Sequence, residues 1–174
     1  MNKIFLTGEP GYGKSTVLMK VIDILKSKGL KVGGFMTPDI RERGKRIGFK
    51  VIDINSSEEG ILSSVNQKNG PKVGKYRVNL EDFERVALKA LDFAVKECDI
   101  LCIDELGTME LFSKKFKEKI ENILKLDKLI IIVLHRNLIR KYEKYGKIFY
   151  VTPENRNKLP EEIIQLIESG STQS

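Results

Sequence analysis

Histidine occurs once in the 174 residues and cysteine twice, too few soft ligands for a four-coordinate zinc site. The cysteines do not make a disulfide either. Cys102 sits in the strand-like run Ile100-Leu101-Cys102-Ile103 and Cys98 just before it, and four extended residues span about 13 Å, well beyond disulfide reach. Both read as buried packing residues. The longest apolar run, residues 129–134, has six residues, far short of the roughly 18 that cross a bilayer, so no membrane partner is expected. The chain enters a strand at once, Lys3-Ile4-Phe5-Leu6-Thr7, without the apolar stretch of a secretion signal, which makes the cytoplasm the expected compartment. No helix-turn-helix, zinc finger or aromatic stacking motif for nucleic acid is present, and no internal repeat.

What remains is a chain with 41% hydrophobic and 32% charged residues, enough for one well-cored domain and too little for two. A single domain is expected over residues 1–169, followed by a disordered tail at 170–174. Lysine and arginine number 31 against 24 aspartate and glutamate, a net charge of +7. That balance suits a binder of polyanions such as nucleotides or nucleic acid, and equally a lysine-rich solvated surface.

The hydrophobic pattern alternates between strand and helix. After the first strand and a glycine-rich turn, Val17, Leu18, Val21, Ile22 and Leu25 recur on one helical face up to Gly29. Strands are expected at 31–36 and 47–54, with a charged hairpin or flap at 37–45 between them. Short strand-like pieces at 61–62 and 76–78 flank a segment at 67–75 that reads as a mobile loop. A helix from Leu80 to about Cys98 carries Phe83, Val86, Ala87, Ala90, Leu91 and Ala94 on its apolar face. Then come a strand at 100–103, a helix at 113–126, a strand at 129–134, a short basic helix, a strand at 148–151 and a helix at 160–169. This alternation predicts an α/β fold with a mainly parallel sheet covered on both faces.

Gly8-Glu9-Pro10-Gly11-Tyr12-Gly13-Lys14-Ser15 fits the pattern Gly, four free positions, Gly, Lys, Ser or Thr. It lies between a strand and a helix, as a phosphate-binding P-loop must. The glycines let successive amides point into one concavity while the helix adds its positive end, and together these hold α- and β-phosphates. Lys14 would reach the β- and γ-phosphates, Ser15 would offer a hydroxyl oxygen to Mg²⁺, and Thr16 would touch the α-phosphate. Glu9, Pro10 and Tyr12 belong to the nucleotide-contacting loop, and no side-chain role is assigned to Glu9 or Tyr12.

The run Asp99-Ile100-Leu101-Cys102-Ile103-Asp104-Glu105 is an apolar strand ending in two acids, the pattern of a Walker B element. Ligands of open α/β sheets sit beyond the carboxyl ends of the strands, so this pair is expected beside the P-loop. Asp104 would hold Mg²⁺, and Glu105 would orient and deprotonate the attacking water. A glutamate directly after the Walker B aspartate resembles the branch of P-loop proteins that includes RecA-like and AAA ATPases. That resemblance implies an extra strand between the P-loop strand and the Walker B strand, with residues 129–134 the candidate.

Residues 8–16, the run Asp104-Glu105-Leu106-Gly107-Thr108-Met109-Glu110-Leu111 and Thr152-Pro153-Glu154-Asn155-Arg156 occur in the order and spacing of the cancer-related nucleoside-triphosphatase family. Gly33-Gly34-Phe35-Met36-Thr37, Arg41 and Gly48-Phe49 also resemble it. The likeness covers nearly the whole chain. It implies a small RecA-like three-layer αβα sandwich with antiparallel hairpin additions. It also implies slow, base-tolerant hydrolysis of nucleoside triphosphates, ATP and GTP among them, to diphosphate, and it adds Gly107 to the candidate nucleotide contacts. The chain departs from the family in having Thr108 where members often carry lysine, and Leu134-His135-Arg136 where others have a Thr-Ile-Pro-like turn.

Several residues keep two readings. His135 follows a predicted strand and either meets the γ-phosphate or the water, or is a surface histidine. Arg136 is an internal arginine finger or a solvated helix-start residue. Asn155 and Arg156 are candidates for the base or ribose pocket. Arg41, Arg43, Lys45 and Arg46 cap phosphates, contact nucleic acid or decorate a solvated hairpin. The rivals to hydrolysis are a small-molecule kinase, whose lid would be 37–45 or 67–75, and a nucleotide-dependent RNA-binding protein.

Overall fold

The computed structural model describes residues 2–171. In chain order the elements are β1 (Lys3–Thr7), α1 (Lys14–Ser27), β2 (Val32–Met36), β3 (Asp39–Glu42), β4 (Lys45–Asp53), β5 (Glu59–Ser64), β6 (Lys72–Val73), β7 (Tyr76–Val78), α2 (Leu80–Glu97), β8 (Ile100–Leu106), α3 (Lys114–Ile123), β9 (Leu129–Leu134), α4 (Ile139–Tyr142), β10 (Lys147–Tyr150) and α5 (Leu159–Ser171). Side chains fix the starts of two helices. The Asn79 side chain accepts from the Asp82 amide at 3.0 Å to open α2, and Ser113 accepts from Phe116 at 3.1 Å to open α3. Helix α5 continues through Gly170 and Ser171 instead of ending at Ser169, and the rest of the tail expected at 170–174 lies outside the described residues.

All ten strands join one sheet in the order β10-β1-β9-β8-β2-β4-β5-β7-β6, with β3 paired to β4. The first five run parallel, and β4 turns antiparallel against β2. Strand β9 lies between the P-loop strand β1 and β8, the insertion anticipated for residues 129–134. Side chains alternate between two cores. Phe5, Leu101, Ile103, Ile130 and Ile132 face the layer of α2 and α3. Ile4, Leu6, Ile100, Cys102, Ile131 and Val133 face α1 and α5. The result is a three-layer αβα sandwich. On the first face Phe35, Phe83 and Phe116 form three edge-to-face pairs with centroids 5.2–5.7 Å apart. Cys98 and Cys102 are both buried and free.

The antiparallel additions are more regular than their composition suggested. The 37–45 flap is a hairpin, with Glu42 opposite Lys45. Part of the 67–75 segment, expected as a mobile loop, forms β6 and pairs Val73 with Tyr76. The chain is short and polar there, so its pairing partner, and not its own pattern, sets its structure.

Candidate active site

The P-loop leaves β1 and closes on the start of α1. Gly8 has φ 152°, and a Cβ there would lie 2.5 Å from the carbonyl oxygen of Val151, so only glycine lets the loop pass the end of β10. Gly13 caps α1 in the left-handed conformation, with the Arg156 side chain across it. The first turn of α1 contains no acidic residue, whereas α2 carries Glu81 and Asp82 and α5 carries Glu161 and Glu162 at theirs. The positive end of α1 is thus left for an anion.

Lys14 spans this loop. Its Nζ donates to the Gly8 carbonyl at 2.9 Å and stands 3.7 Å from Oε2 of Glu105. The second residue of the acid pair therefore reaches the phosphate loop. Asp104 precedes it on the same strand β8, opposite Met36 on β2 and Val133 on β9, and its carboxylate faces the Ser15 hydroxyl as a hydrogen-bond acceptor. Burial pushes the Asp104 carboxyl above its usual range and the charge on Glu105 adds to this, against the pull of Ser15 and Lys14. The Asp104–Glu105 peptide is cis, and the register against β9 shifts between Asp104 and Leu106.

Ser15 and Asp104 supply hard oxygen donors in mutual contact, and a cation between them would relieve the buried charge of Asp104. Among the described residues no group of three or more His, Cys, Asp or Glu is placed to hold a metal by itself. A pair of oxygen donors fits Mg²⁺, which keeps several waters and takes substrate phosphate oxygens.

These residues line one cleft of about 870 Å³. Its P-loop end holds Gly8, Lys14, Ser15, Asp104, Glu105 and Gly107, and its wall on the antiparallel strands holds Phe49, Leu62, Val73 and Tyr76. Phe49 and Tyr76 meet edge to face at 5.5 Å, and the Arg46 guanidinium lies 5.5 Å from the Phe49 ring centre.

A family model described as NTPase matches residues 3–164. The nucleoside-triphosphatase THEP1 of Methanocaldococcus jannaschii is 46% identical to this chain, covering 97% of this chain and 98% of that protein. The chain belongs to this nucleoside-triphosphatase family. The namesake of Pyrococcus abyssi is 40% identical over 95% of this chain and 92% of its own length. Two solved structures are similar as well. The crystal structure of THEP1 from Aquifex aeolicus gives a TM-score of 0.80 at 32% identity, over 95% of this chain and 99% of the other. The solution structure of a human cancer-related nucleoside triphosphatase gives 0.79 at 35%, over 97% and 98%.

Within this family member the remaining candidates are placed differently. His135 lines the cleft, and its Nδ1 accepts from the Asn137 amide at 3.2 Å, so the neutral ring carries its proton on Nε2. Arg136 lines the same cleft and pairs with Glu9 of the P-loop. Tyr12 closes a turn by donating its amide to the Glu9 carbonyl at 3.2 Å. Pro10 and Gly11 face the cleft, whereas Thr16, Asn155 and Arg156 are not in its lining. The Asn155 side chain is used by its own turn: Oδ1 accepts from the Thr152 amide and Nδ2 donates to the Tyr150 carbonyl, both at 2.8 Å. Arg41 and Arg46 pair with Asp39, at 3.0 and 3.9 Å.

Two residues of the site had no role assigned from the sequence. The Thr37 amide donates to the Asp104 carbonyl at 2.6 Å, and its hydroxyl accepts from the Glu105 amide at 3.1 Å. Glu110 is 4% exposed and accepts from the Gly107 amide at 3.0 Å, and it lies near the Thr37 hydroxyl, which donates to the Asp104 carbonyl at 3.3 Å. Burial pushes its carboxyl from 4.5 up to about 8, and the charge on Glu105 adds to the rise. The signal for Thr37 was its place just after β2, at the carboxyl end of a parallel strand. For Glu110 it was an acid among Met109, Leu111 and Phe112, where an apolar residue is the rule.

Proposed function

We propose that this nucleoside-triphosphatase hydrolyses nucleoside triphosphates in a Mg²⁺-dependent reaction, with broad base tolerance and Glu105 as the group that activates water. The loop from Gly8 to Ser15 holds the phosphate chain, and Lys14 bears on its terminal part. Ser15 and Asp104 would hold Mg²⁺, which when bound offsets charge on the phosphate oxygens. Glu105 takes a proton from water as the water oxygen bonds to the γ-phosphorus. The bond to the bridging oxygen then breaks, and diphosphate leaves. His135 presents its Nε2 proton at the same end of the cleft, and Arg136, held by Glu9, adds positive charge there. Gly107 contributes backbone at the water side, Thr16 meets the α-phosphate, and Arg156, which lies across Gly13 outside the cleft lining, is left for the base or ribose.

The observation that carries this reading is the 3.7 Å approach of Lys14 to Glu105, which joins the phosphate loop to the end of β8. Product analysis with ATP, GTP, CTP and UTP, with Mg²⁺ or with EDTA, tests it. Phosphate should be released from all four nucleotides with Mg²⁺ and from none with EDTA.

A second reading, phosphoryl transfer to a small acceptor, is favoured by the wall of the cleft on the antiparallel strands. Phe49, Leu62, Val73 and Tyr76 make an apolar surface that a water nucleophile does not need. Phosphate release without any acceptor supports hydrolysis. Turnover that begins only when a nucleoside or nucleotide is added would favour transfer.

A further inference from the structure

Two acidic side chains are buried among the described residues, Asp53 and Glu110, each 4% exposed. The turn that follows Asp53 accounts for it, since Oδ1 accepts from the amides of Asn55 at 2.8 Å and Ser56 at 3.0 Å. Glu110 is not explained in this way. Its bond to the Gly107 amide closes a turn, but the other contact crosses to Thr37, on the segment after β2. Taking a carboxyl group out of water costs several kcal/mol unless it is well hydrogen-bonded. Its neighbours Met109 and Leu111 pack on the apolar core, so an apolar side chain at 110 would serve packing at lower cost.

The bond to Gly107, two residues after Glu105, carries the argument together with the bonds of neighbouring Thr37. The Thr37 hydroxyl accepts from the backbone N–H of Glu105 at 3.1 Å, while Glu110 itself accepts from the N–H of Gly107 at 3.0 Å. Glu110 thus holds the Glu105 segment directly at Gly107, beside the Thr37 hydroxyl, which holds the same segment by accepting from Glu105 and donating to the Asp104 carbonyl at 3.3 Å. A Cβ built on Gly107 would lie 3.4 Å from Oε2 of Glu110 and 3.6 Å from Oε1 of Glu105, so both carboxyl groups border the same small space.

We propose that Glu110 is a positioning residue which, through Thr37 and Gly107, fixes Glu105 where it can take the proton of the attacking water. This rests on the hydrolytic role of Glu105 proposed above. The contacts require an oxygen acceptor for Gly107 and a hydrogen-bonding partner for Thr37, both of which glutamine supplies.

Steady-state hydrolysis of Mg·ATP and nucleotide binding are measured for Glu110→Ala, Glu110→Gln, Thr37→Val and Thr37→Ser, with folding checked by thermal melts. Glu110→Ala and Thr37→Val should lower kcat about 100-fold, as a misplaced catalytic group does, while KM and nucleotide Kd stay within about twofold. Glu110→Gln and Thr37→Ser should stay within about threefold of the wild-type kcat. In a Glu105→Gln background Glu110→Ala should have no further effect, because it acts through Glu105. The proposal is overturned if Glu110→Ala costs the same factor in both backgrounds, if lost turnover tracks lost affinity, or if Glu110→Ala turns over normally. If Glu110→Ala does not fold, the other three variants decide: wild-type turnover in Thr37→Val, or a crippled Glu110→Gln, overturns it. Wild-type turnover in Glu105→Gln alone would remove the hydrolytic reading and this proposal together. An inactive Glu105→Gln beside an unimpaired Glu110→Ala removes only the proposal.

Discussion

The parallel half of the sheet and its antiparallel extension are built by different rules. Strand β8 is buried from Ile100 through Ile103 without a break and opens only at Asp104 and Glu105. Strand β4 is longer and mostly half-buried or exposed. Layers on both faces demand apolar residues at every position of β8, so the two acids at its carboxyl end stand out. The extension has no such uniform demand and supplies the aromatic wall of the cleft. The comparison teaches that the proposed chemistry falls where the sheet is covered on both faces, while the extension shapes the far side of the cleft.

The most damaging way to probe that division is Lys14→Ala. It should lower nucleotide affinity roughly 100-fold, near 3 kcal/mol for a lost charge-assisted contact, and turnover should fall with it. Titration calorimetry checks this, and unchanged affinity would move the phosphate site away from the P-loop.

A subtler effect separates the two halves by pH. The Glu110 carboxyl is raised from 4.5 to about 8, so between those values the folded chain keeps a proton that the unfolded chain has released. Its contribution to stability is full below about pH 4.5 and is lost as pH rises through about 8, with a slope of up to about 1.4 kcal/mol per unit. Asp104 is shifted in the same direction, but it is common to both proteins in a comparison with Glu110→Gln. Without Mg²⁺ and nucleotide, the variant should gain stability over the wild type between pH 5 and pH 8. Denaturation curves that stay parallel across that range would contradict the assigned burial.

The smallest expected change lies in the extension. Phe49→Ala with Tyr76→Ala should leave ATP hydrolysis within about threefold of wild type, since both rings stand on the antiparallel strands and not at the P-loop end. A larger fall in kcat would show that the extension takes part in the phosphate chemistry and would erase the contrast between the halves.

Legibility followed the same division. The runs at β1, β8 and β9 are apolar because they are buried on both faces, and this made the parallel strands and the place of β9 readable. The P-loop was readable because each glycine and Lys14 answers a geometric demand. The hairpins β3–β4 and β6–β7 were less so, since they are short and polar and owe their order to pairing. Thr37 and Glu110 were hidden for another reason. Thr37 meets Glu105 across 68 positions, and the local signals, a place just after β2 and an acid in an apolar run, do not name the partners. Asn155 was read as a pocket residue, yet its polar atoms bond its own turn.

The central claim is that Glu105, held against the phosphate loop, primes the water. The direct measurement is Mg·ATP binding and phosphate release by Glu105→Gln under identical conditions. The account predicts wild-type affinity with turnover lowered by about 10²- to 10⁴-fold, the usual worth of a general base. Wild-type phosphate release by that variant would contradict it.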